Sequence, residues 1–583
     1  MNAYLHLNVA TGEQRGEAVT GWSGPLHALA QVRRAVSGPV DPGDPRLPVA
    51  LVTSTVAGLG GVGTARCAAV GISPLSGRVA ETRAEGPFAA GLHAAGITGI
   101  SLTGSAATAS YVLIDGGRAV LRPAADLWGL DTRQATAALS ARHGLDAAIA
   151  VIGPAAEAGT RYATILTAGS FPLPRLGFGT LLAARRIKAI VCLPDGPSPL
   201  PHDPGAVDAL TSAYQIQMRD HPLAGWQHAE PGFGAWPGSD TAPGHAAVRN
   251  YADTATAPNT WPGLHPDRFA EHLSWTSGGC PGCPNDCVKG FAGAGLHQEA
   301  VAMLGPNLGI GDLATILAAN ARCQDLGLDP VSLGGTLGCL FEAAQRGPLP
   351  RWLANVLPAG VGFDEPGLLP ELVELAAQPG HPLGGGAAVL ARSLGLPQIA
   401  MVSAGVELPP FDPRSQPGLG LMYAAAPIGP RYDTVEHDLD FDPVHGLPHS
   451  YPEARRLGLT VPALASTLDF DRTVRLADLW SGLDALLLCP YASTPTRPLS
   501  LDRIVSLVKA VTGVDGVDVF ALGRERFARQ QEINDLLGVG AGTLPDRFFT
   551  EPVQDGPHRG AILDWAQFTA GVEALHALWR LTP

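Results

Sequence analysis

The chain has 583 residues, 46% hydrophobic and only 16% charged, with 39 Lys and Arg against 53 Asp and Glu for a formal net charge of −14. This length buries a core without disulfide staples, and the composition excludes a disordered, self-repelling chain. Only three lysines occur (Lys188, Lys289 and Lys509) and there is no basic run, which excludes a nucleic-acid-binding surface.

Gly (72) and Pro (52) exceed their usual shares of about 7% and 5% without a three-residue period, which excludes collagen and predicts many turns. The first third reads as short strands between Gly and Pro: AYLHLNVATGE, LPVALVTST, GITGISLTG, SYVLIDGGRAVLR, AAIAVIG, YATILTAG and IKAIVCLP. Asp115-Gly-Gly117 marks a hairpin. LDTRQATAALSARHG predicts a helix capped by Asp131 or Thr132. Beyond about residue 204 the period becomes helical, in GDLATILAANARCQDLG and SLGGTLGCLFEAAQRG, then in LADLWSGLDALLLC, LDRIVSLVKAVTG and GRERFARQQEINDLLG. Pro- and Gly-rich stretches near 195–205 and 357–366 read as surface connections. No stretch reaches the roughly 18 apolar residues of a membrane span, and Met1–Glu17 lacks a basic segment followed by an apolar one. The expectation is a cytoplasmic protein without membrane insertion.

Gly58-Leu-Gly60-Gly-Val-Gly63 fits G-x-G-x-x-G after a strand. A dinucleotide site needs a helix next, and the following segment ends at Ser73-Pro74. A loop that lets another cofactor approach the backbone is preferred to a flavin- or nicotinamide-linked reductase or a plain turn. Three of the eight cysteines lie in Cys280-Pro-Gly-Cys283-Pro-Asn-Asp-Cys287. Thiolates this close on a Pro/Gly turn favour zinc or an iron–sulfur cluster. A four-thiolate site needs one more Cys, and none follows soon enough for a compact zinc ribbon, so a distant Cys must close the shell.

In order and spacing, SPLSG (73–77), GPAAEAGTRYATI (153–165), RLGFG with RRIKAIV (175–191), CPGCPNDC, the segment 299–337, VELPPFDPRS (406–415), the region of Cys489 and TLPDRFFTEPVQDGP (543–557) resemble the aldehyde:ferredoxin oxidoreductases. The resemblance implies tungsten or molybdenum on a bis-molybdopterin. It also implies a [4Fe–4S] cluster on Cys280, Cys283, Cys287 and Cys489, leaving Cys67, Cys192, Cys323 and Cys339 as ordinary apolar residues. Two aspartate motifs would hold the pterins. In the first, Gln324 replaces the leading Asp and Asp329 remains; in the second, Asp484 remains and Leu487 stands where the family has Gly. An ionised carboxylate only accepts, which suits the N–H donors of a pterin ring. Arg66, Gly86, Arg175 and Gly177 match the family's pterin-wrapping base, the arginines as phosphate counter-charges.

By the same resemblance Glu299 lies near the metal as a general acid/base. The family's substrate-site histidine reads Tyr432 here, with Glu436 and His437 as nearby proton donors. A family bridge between subunits through one metal would need Glu and His where this chain has Ala318 and Ala321, so any homodimer rests on other contacts. The implied fold is α+β: a β-rich N-terminal pterin-binding domain (1–203), a helical domain with the cluster loop (204–401) and a helical C-terminal domain with the fourth cluster Cys (402–583). The implied function is two-electron oxidation of an aldehyde, or reduction of a carboxylic acid or related small molecule, with electrons relayed through the cluster to a ferredoxin or an iron–sulfur partner subunit. The departures at 324, 432 and 487 keep an alternative open: altered substrate, or lost turnover in an iron–sulfur/pterin scaffold or electron-transfer subunit.

Overall fold

A computed structural model describes residues 3–19, 21–196, 199–238, 246–254, 261–276, 279–554 and 558–580. Residues 197 and 198, in the connection expected at 195–205, and 555–557, at the end of the last resembling segment, lie outside them. The first third folds into twelve strands: β1 (Ala3–Asn8), β2 (Gln14–Ala18), β3 (Val49–Val52), β4 (Arg66–Ile72), β5 (Val79–Glu85), β6 (Ile97–Thr103), β7 (Ser110–Asp115), β8 (Arg118–Pro123), β9 (Ala148–Ile152), β10 (Ile165–Thr167), β11 (Phe171–Leu173) and β12 (Ile187–Cys192). They make two six-stranded sheets, ordered β2-β1-β6-β3-β4-β5 and β11-β10-β9-β12-β7-β8. Each sheet has one parallel pair, β1 with β6 and β12 with β7, and is otherwise antiparallel. The hairpin read from Asp115-Gly-Gly117 joins β7 to β8, with both glycines at positive φ (53° and 69°), where a side chain would strain the turn. The helix expected over LDTRQATAALSARHG spans Thr132–His143 and starts with a capping box between Asp131 and Gln134.

β2, β4, β5 and β11 were not among the expected strands. β5 reads VAETRAE, a sequence too charged to signal a buried strand, yet Glu81 and Arg83 are fully enclosed. Their charges are tolerated because they pair. Arg83 Nη1 donates to Glu81 Oε1 at 2.8 Å, while Arg526 Nε and Gln530 Nε2 reach Glu81 Oε2 at 2.9 and 3.0 Å. A buried carboxylate needs such partners.

The rest of the chain is mainly helical, as the change of period predicts. Leu313–Leu326 ends at Gly327 in the left-handed conformation (φ 71°), and Pro330–Arg346 follows, capped by Asp329. Phe470–Leu486 and Val519–Leu537 pack so closely that a Cβ on Gly482 would sit 1.9 Å from the Val519 carbonyl, and one on Gly523 1.8 Å from that of Asp478. This contact carries Asp484 and Arg526 inward together, toward β5. The largest apolar cluster joins both sheets to the helices of 298–390, and a second joins Val56 and Val62 to helices beyond residue 400. Among the described residues no helix is long and apolar enough to cross a membrane.

Gly523→Ala forces the two helices apart, and overpacking of this kind costs about 1–3 kcal/mol. It is expected to lower the unfolding temperature, whereas Gly540→Ala, with no heavy atom within 4 Å of the added carbon, leaves it unchanged. Equal unfolding temperatures for wild type and Gly523→Ala would contradict the close contact.

Candidate functional site

The Gly58–Gly63 loop is held between two distant parts of the chain. Gly63 N donates to Cys283 Sγ at 3.4 Å, and Cys489 N donates to Gly63 O at 2.8 Å. A Cβ on Gly63 would lie 3.8 Å from Cys489 Cβ, and one on Gly282 would lie 3.1 Å from Gly61 N, so glycines here permit the approach. Asn285 Nδ2 donates to the Tyr491 carbonyl at 3.0 Å, and Cys287 and Cys489 share one apolar cluster with Phe233 and Tyr491. The loop of the 280s and residue 489 therefore meet. All eight cysteines are free thiols.

Burial pushes the Cys489 thiol up to about 12, against the pull of Arg66, and pushes those of Cys280, Cys283 and Cys287 up as well. Only a bound cation would make these four thiols thiolates. A single tetrahedral zinc holds its sulfurs about 3.8 Å apart, given Zn–S of about 2.3 Å. Among the described residues no three of the cysteine sulfurs fall within 4.8 Å of one another. Their spread and softness suit a multi-iron cluster. Cys67 and Cys192 lie buried elsewhere, their thiols pushed up to about 12 by burial alone or nearly so.

Beside these cysteines lies a cavity whose open space, with the solvent at its mouth, is about 870 Å³. Phe233 and Val288 line it, Phe233 also packing on Cys287 and Cys489. Arg66, Arg83, Arg175, Glu299, Gln324, Asp329, Arg431, Tyr432 and Asp433 form much of the rest of its wall. Eight buried atoms of this wall have no hydrogen-bond partner: Arg66 Nε, Arg83 Nε and Nη2, Arg175 Nε and Nη1, Glu299 Oε1, Gln324 Oε1 and Asp329 Oδ1; those of Arg66 and Arg83 face carboxylates in ion pairs. Orphaned buried polar groups of this kind are costly, and both donors and acceptors are present. The wall thus fits a large polar group such as a pterin cofactor, with carboxylate and amide acceptors on one side and a guanidinium on another. Gln324 keeps one bond inside the protein, donating from Nε2 to the Gly295 carbonyl at 2.7 Å. Asp329 caps its helix through Oδ2, which accepts from Ser332 N at 2.8 Å, and burial raises its pKa.

Other residues singled out in the sequence stand behind this wall. Asp484 does not line the cavity; its Oδ1 pairs with Arg83 Nε at 2.8 Å and Arg66 Nη1 at 3.3 Å. Arg66 also pairs with Glu85 at 3.1 Å, so its charge is already met by carboxylates. Arg431 clasps Asp433 with both ends (2.7 and 3.0 Å), and although burial alone would raise it, this and neighbouring arginines hold that carboxyl far below its usual range. Gly86 and Gly177 do not line the cavity. Added carbons there would meet the Phe171 ring at 2.6 Å and the Arg161 carbonyl at 2.2 Å, so packing requires them. Arg175, Leu176 and Gly177 all have positive φ (64°, 58° and 78°), a strained run that ends with the Arg175 side chain on the cavity wall. Leu487 also takes left-handed φ (55°), the geometry for which glycine is usual.

Glu299 sits in the first turn of Gln298–Leu304. Burial raises its pKa to about 8, with Arg175 (Nη1 to Oε1, 3.8 Å) opposing. His297, which sequence reasoning missed, caps this helix: its Nδ1 accepts from Glu299 N at 3.2 Å. Its Nε2 then carries the proton and lies 3.0 Å from the Tyr432 hydroxyl and 3.1 Å from that of Tyr491. Tyr491 donates to Tyr432 at 2.6 Å. Burial keeps His297 neutral, its pKa pushed down to about 3. His437 lies apart, in a second pocket of about 500 Å³ behind Tyr432 and Tyr491, with Glu436 and Asp440. It stacks edge-on to Phe411 at 4.5 Å, and burial lowers its pKa to about 4. The clues to the missed residues were thin: His297 and Tyr491 each lie two positions from Glu299 and Cys489.

Comparison with known proteins agrees with this geometry. The family model for the aldehyde ferredoxin oxidoreductase N-terminal domain matches residues 7–193, and that for domains 2 and 3 matches 210–579. The chain is 27% identical over 580 residues to a tungsten-containing aldehyde ferredoxin oxidoreductase of Pyrococcus furiosus, covering 96% of this chain and 93% of that one. It is 26% identical over 583 residues to the one of Thermococcus kodakarensis, with the same coverage. In fold it is similar to the active-site complex BamBC of benzoyl coenzyme A reductase in complex with 1,5-dienoyl-CoA, with a TM-score of 0.78, 17% identity, and 92% of this chain and 88% of that one covered. The chain therefore belongs to the aldehyde ferredoxin oxidoreductase family and is an oxidoreductase.

Proposed function

We propose that this protein oxidises an aldehyde to its acid, or runs the reverse reduction on a carboxylic acid or related small molecule, at a tungsten bis-pterin held in the cavity beside the cysteines. The observation that carries this reading is the meeting of the 280s cysteine loop with Cys489 beside a cavity whose wall holds unpartnered donors and acceptors. When bound, the tungsten–pterin supplies two-electron chemistry at the carbonyl carbon. Arg175, Gln324 and Asp329 would hold it by their free polar atoms, and Cys280, Cys283, Cys287 and Cys489 would hold the [4Fe–4S] cluster. In this reading 1–203 is the base, 204–401 carries the cysteine loop and 402–583 brings Cys489.

The chain's own task is the proton. Aldehyde oxidation with water releases two electrons and two protons beside the neutral acid. Glu299, protonated near neutral pH, is set to exchange one of them. Tyr432 accepts from Tyr491 and faces the His297 Nε2–H, so its own proton is free to point into the cavity. It thus serves as hydrogen-bond donor to a substrate oxygen, in the place where the family's histidine is expected. Phe171, Phe233 and Leu296 exclude bulk water from the same space. A cluster held by Cys280, Cys283, Cys287 and Cys489 would supply one-electron transfer to a ferredoxin or an iron–sulfur partner, in the cytoplasm.

Glu299→Gln in the holoenzyme is expected to lower dye-linked aldehyde oxidation by about 10²–10⁴-fold and to remove one ionisation from the pH profile of kcat/KM. Tungsten-replete wild type that turns over neither aldehydes nor acids would instead favour the alternative of a scaffold or electron-transfer subunit. Proton linkage gives an independent check on the cofactor-free chain. Glu299 binds its proton up to about pH 8 when folded, against 4.5 as its ordinary value. Between those limits the folded state keeps a proton that the unfolded state has lost, so this group's contribution to stability falls as pH rises. Cofactor-free Glu299→Gln should therefore gain in denaturant midpoint over cofactor-free wild type on going from acidic to mildly alkaline pH. A difference independent of pH would contradict a raised Glu299.

A further inference from the structure

Far from the cavity, His6 on β1, Glu17 on β2 and His27 on the helix Gly24–Ala35 converge. Because β1 pairs with β2 in the register Tyr4↔Glu17 and His6↔Arg15, residues 4, 6, 15 and 17 share one face of the hairpin. His27 Nε2 lies 2.7 Å from Glu17 Oε1, and Gln31, one helical turn on, donates to that same oxygen at 2.9 Å. His6 Nε2 lies 3.2 Å from it without the alignment of a hydrogen bond, and is buried with no hydrogen-bond partner. The three ligand atoms all fall within 4.8 Å of one another.

We propose that His6, Glu17 and His27 form a site for a zinc-like divalent cation, bound through the two Nε2 atoms and Glu17 Oε1. Two imidazoles and one carboxylate are a borderline-soft N₂O donor set that suits zinc. Of the three ligands His6 lines an open surface pocket, together with Arg15, Gln31 and Arg34, which gives an ion a path from solvent. Tyr4 fixes both rings, at centroid distances of 5.1 Å to His6 and 4.4 Å to His27, and is itself anchored by Ser101 at 2.5 Å. Arg15 holds the other carboxylate oxygen at 2.7 Å, orienting Oε1 toward the imidazoles as an outer-shell partner does. Arg15 and Arg34 are the cations facing the group, and they limit affinity without occupying the ligand atoms. Burial also keeps both imidazoles below their ordinary pKa, which leaves lone pairs available at neutral pH. Bound there, the ion ties the first hairpin to the first helix and leaves the redox cavity untouched.

The test uses the anaerobically purified holoenzyme, dialysed to equilibrium against micromolar zinc, with His6→Gln and His27→Gln beside the wild type. The expected result is one zinc per wild-type chain, affinity weakened about tenfold or more in both variants, and a zinc-dependent rise in unfolding temperature confined to the wild type. X-ray absorption at the zinc edge should show nitrogen and oxygen neighbours and no sulfur, which separates this site from zinc caught on cysteines. Equal zinc uptake in all three proteins, sulfur neighbours, or no uptake by the wild type would overturn the proposal.

Discussion

Everything at the site depends on one glycine touching two cysteines. Gly63 offers its N–H to Cys283 and its carbonyl to the amide of Cys489, and the space around it admits no bulky side chain. With the Asn285–Tyr491 hydrogen bond, that contact turns the 280s loop toward residue 489. With it, sulfurs from chain segments some two hundred residues apart are presented to one volume. The same loop was the strongest competing signal in the sequence, a glycine pattern that fits nucleotide binding. β4 begins three residues after it, and a strand in that position offers no helix N-terminus to a pyrophosphate.

A second constraint lies in the cavity wall and behind it. Arg66, Arg83, Arg431 and Arg526 are buried together with Glu81, Glu85, Asp433 and Asp484, opposite charges interleaved. Burying so much charge contributes little net stability. It does fix the registers of β4 and β5 against the helices Phe470–Leu486 and Val519–Leu537, and so places Cys489, three residues beyond the end of the first helix. Outside this network the cavity wall keeps atoms of Arg175, Glu299, Gln324 and Asp329 without a hydrogen bond.

Much of this was legible in the sequence for physical reasons that can be named. The helix cap read at Asp131 or Thr132 and the Asp-Gly-Gly hairpin are local, and the structure has the cap at Asp131 and the hairpin between β7 and β8. The cysteine spacing demanded a distant fourth thiol, and resemblance to a family supplied its number. Local reasoning failed where a charged residue is buried because a partner far along the chain neutralises it. That is why β4 and β5 escaped notice. His297 escaped for the same reason, since its hydrogen bonds reach residues 432 and 491. Gly86 and Gly177 were read as cofactor positions, and at both a side chain would also meet tight neighbours.

The central claim is that Cys280, Cys283, Cys287 and Cys489 share one cluster beside a tungsten-bearing cavity. Elemental analysis and low-temperature EPR of anaerobically purified wild type and Cys489→Ser test it most directly. The account predicts one tungsten and four irons per wild-type chain, with the reduced-cluster signal lost or altered in the variant. Zinc in place of iron, no tungsten, or a variant with unchanged iron content and an unchanged signal would contradict it.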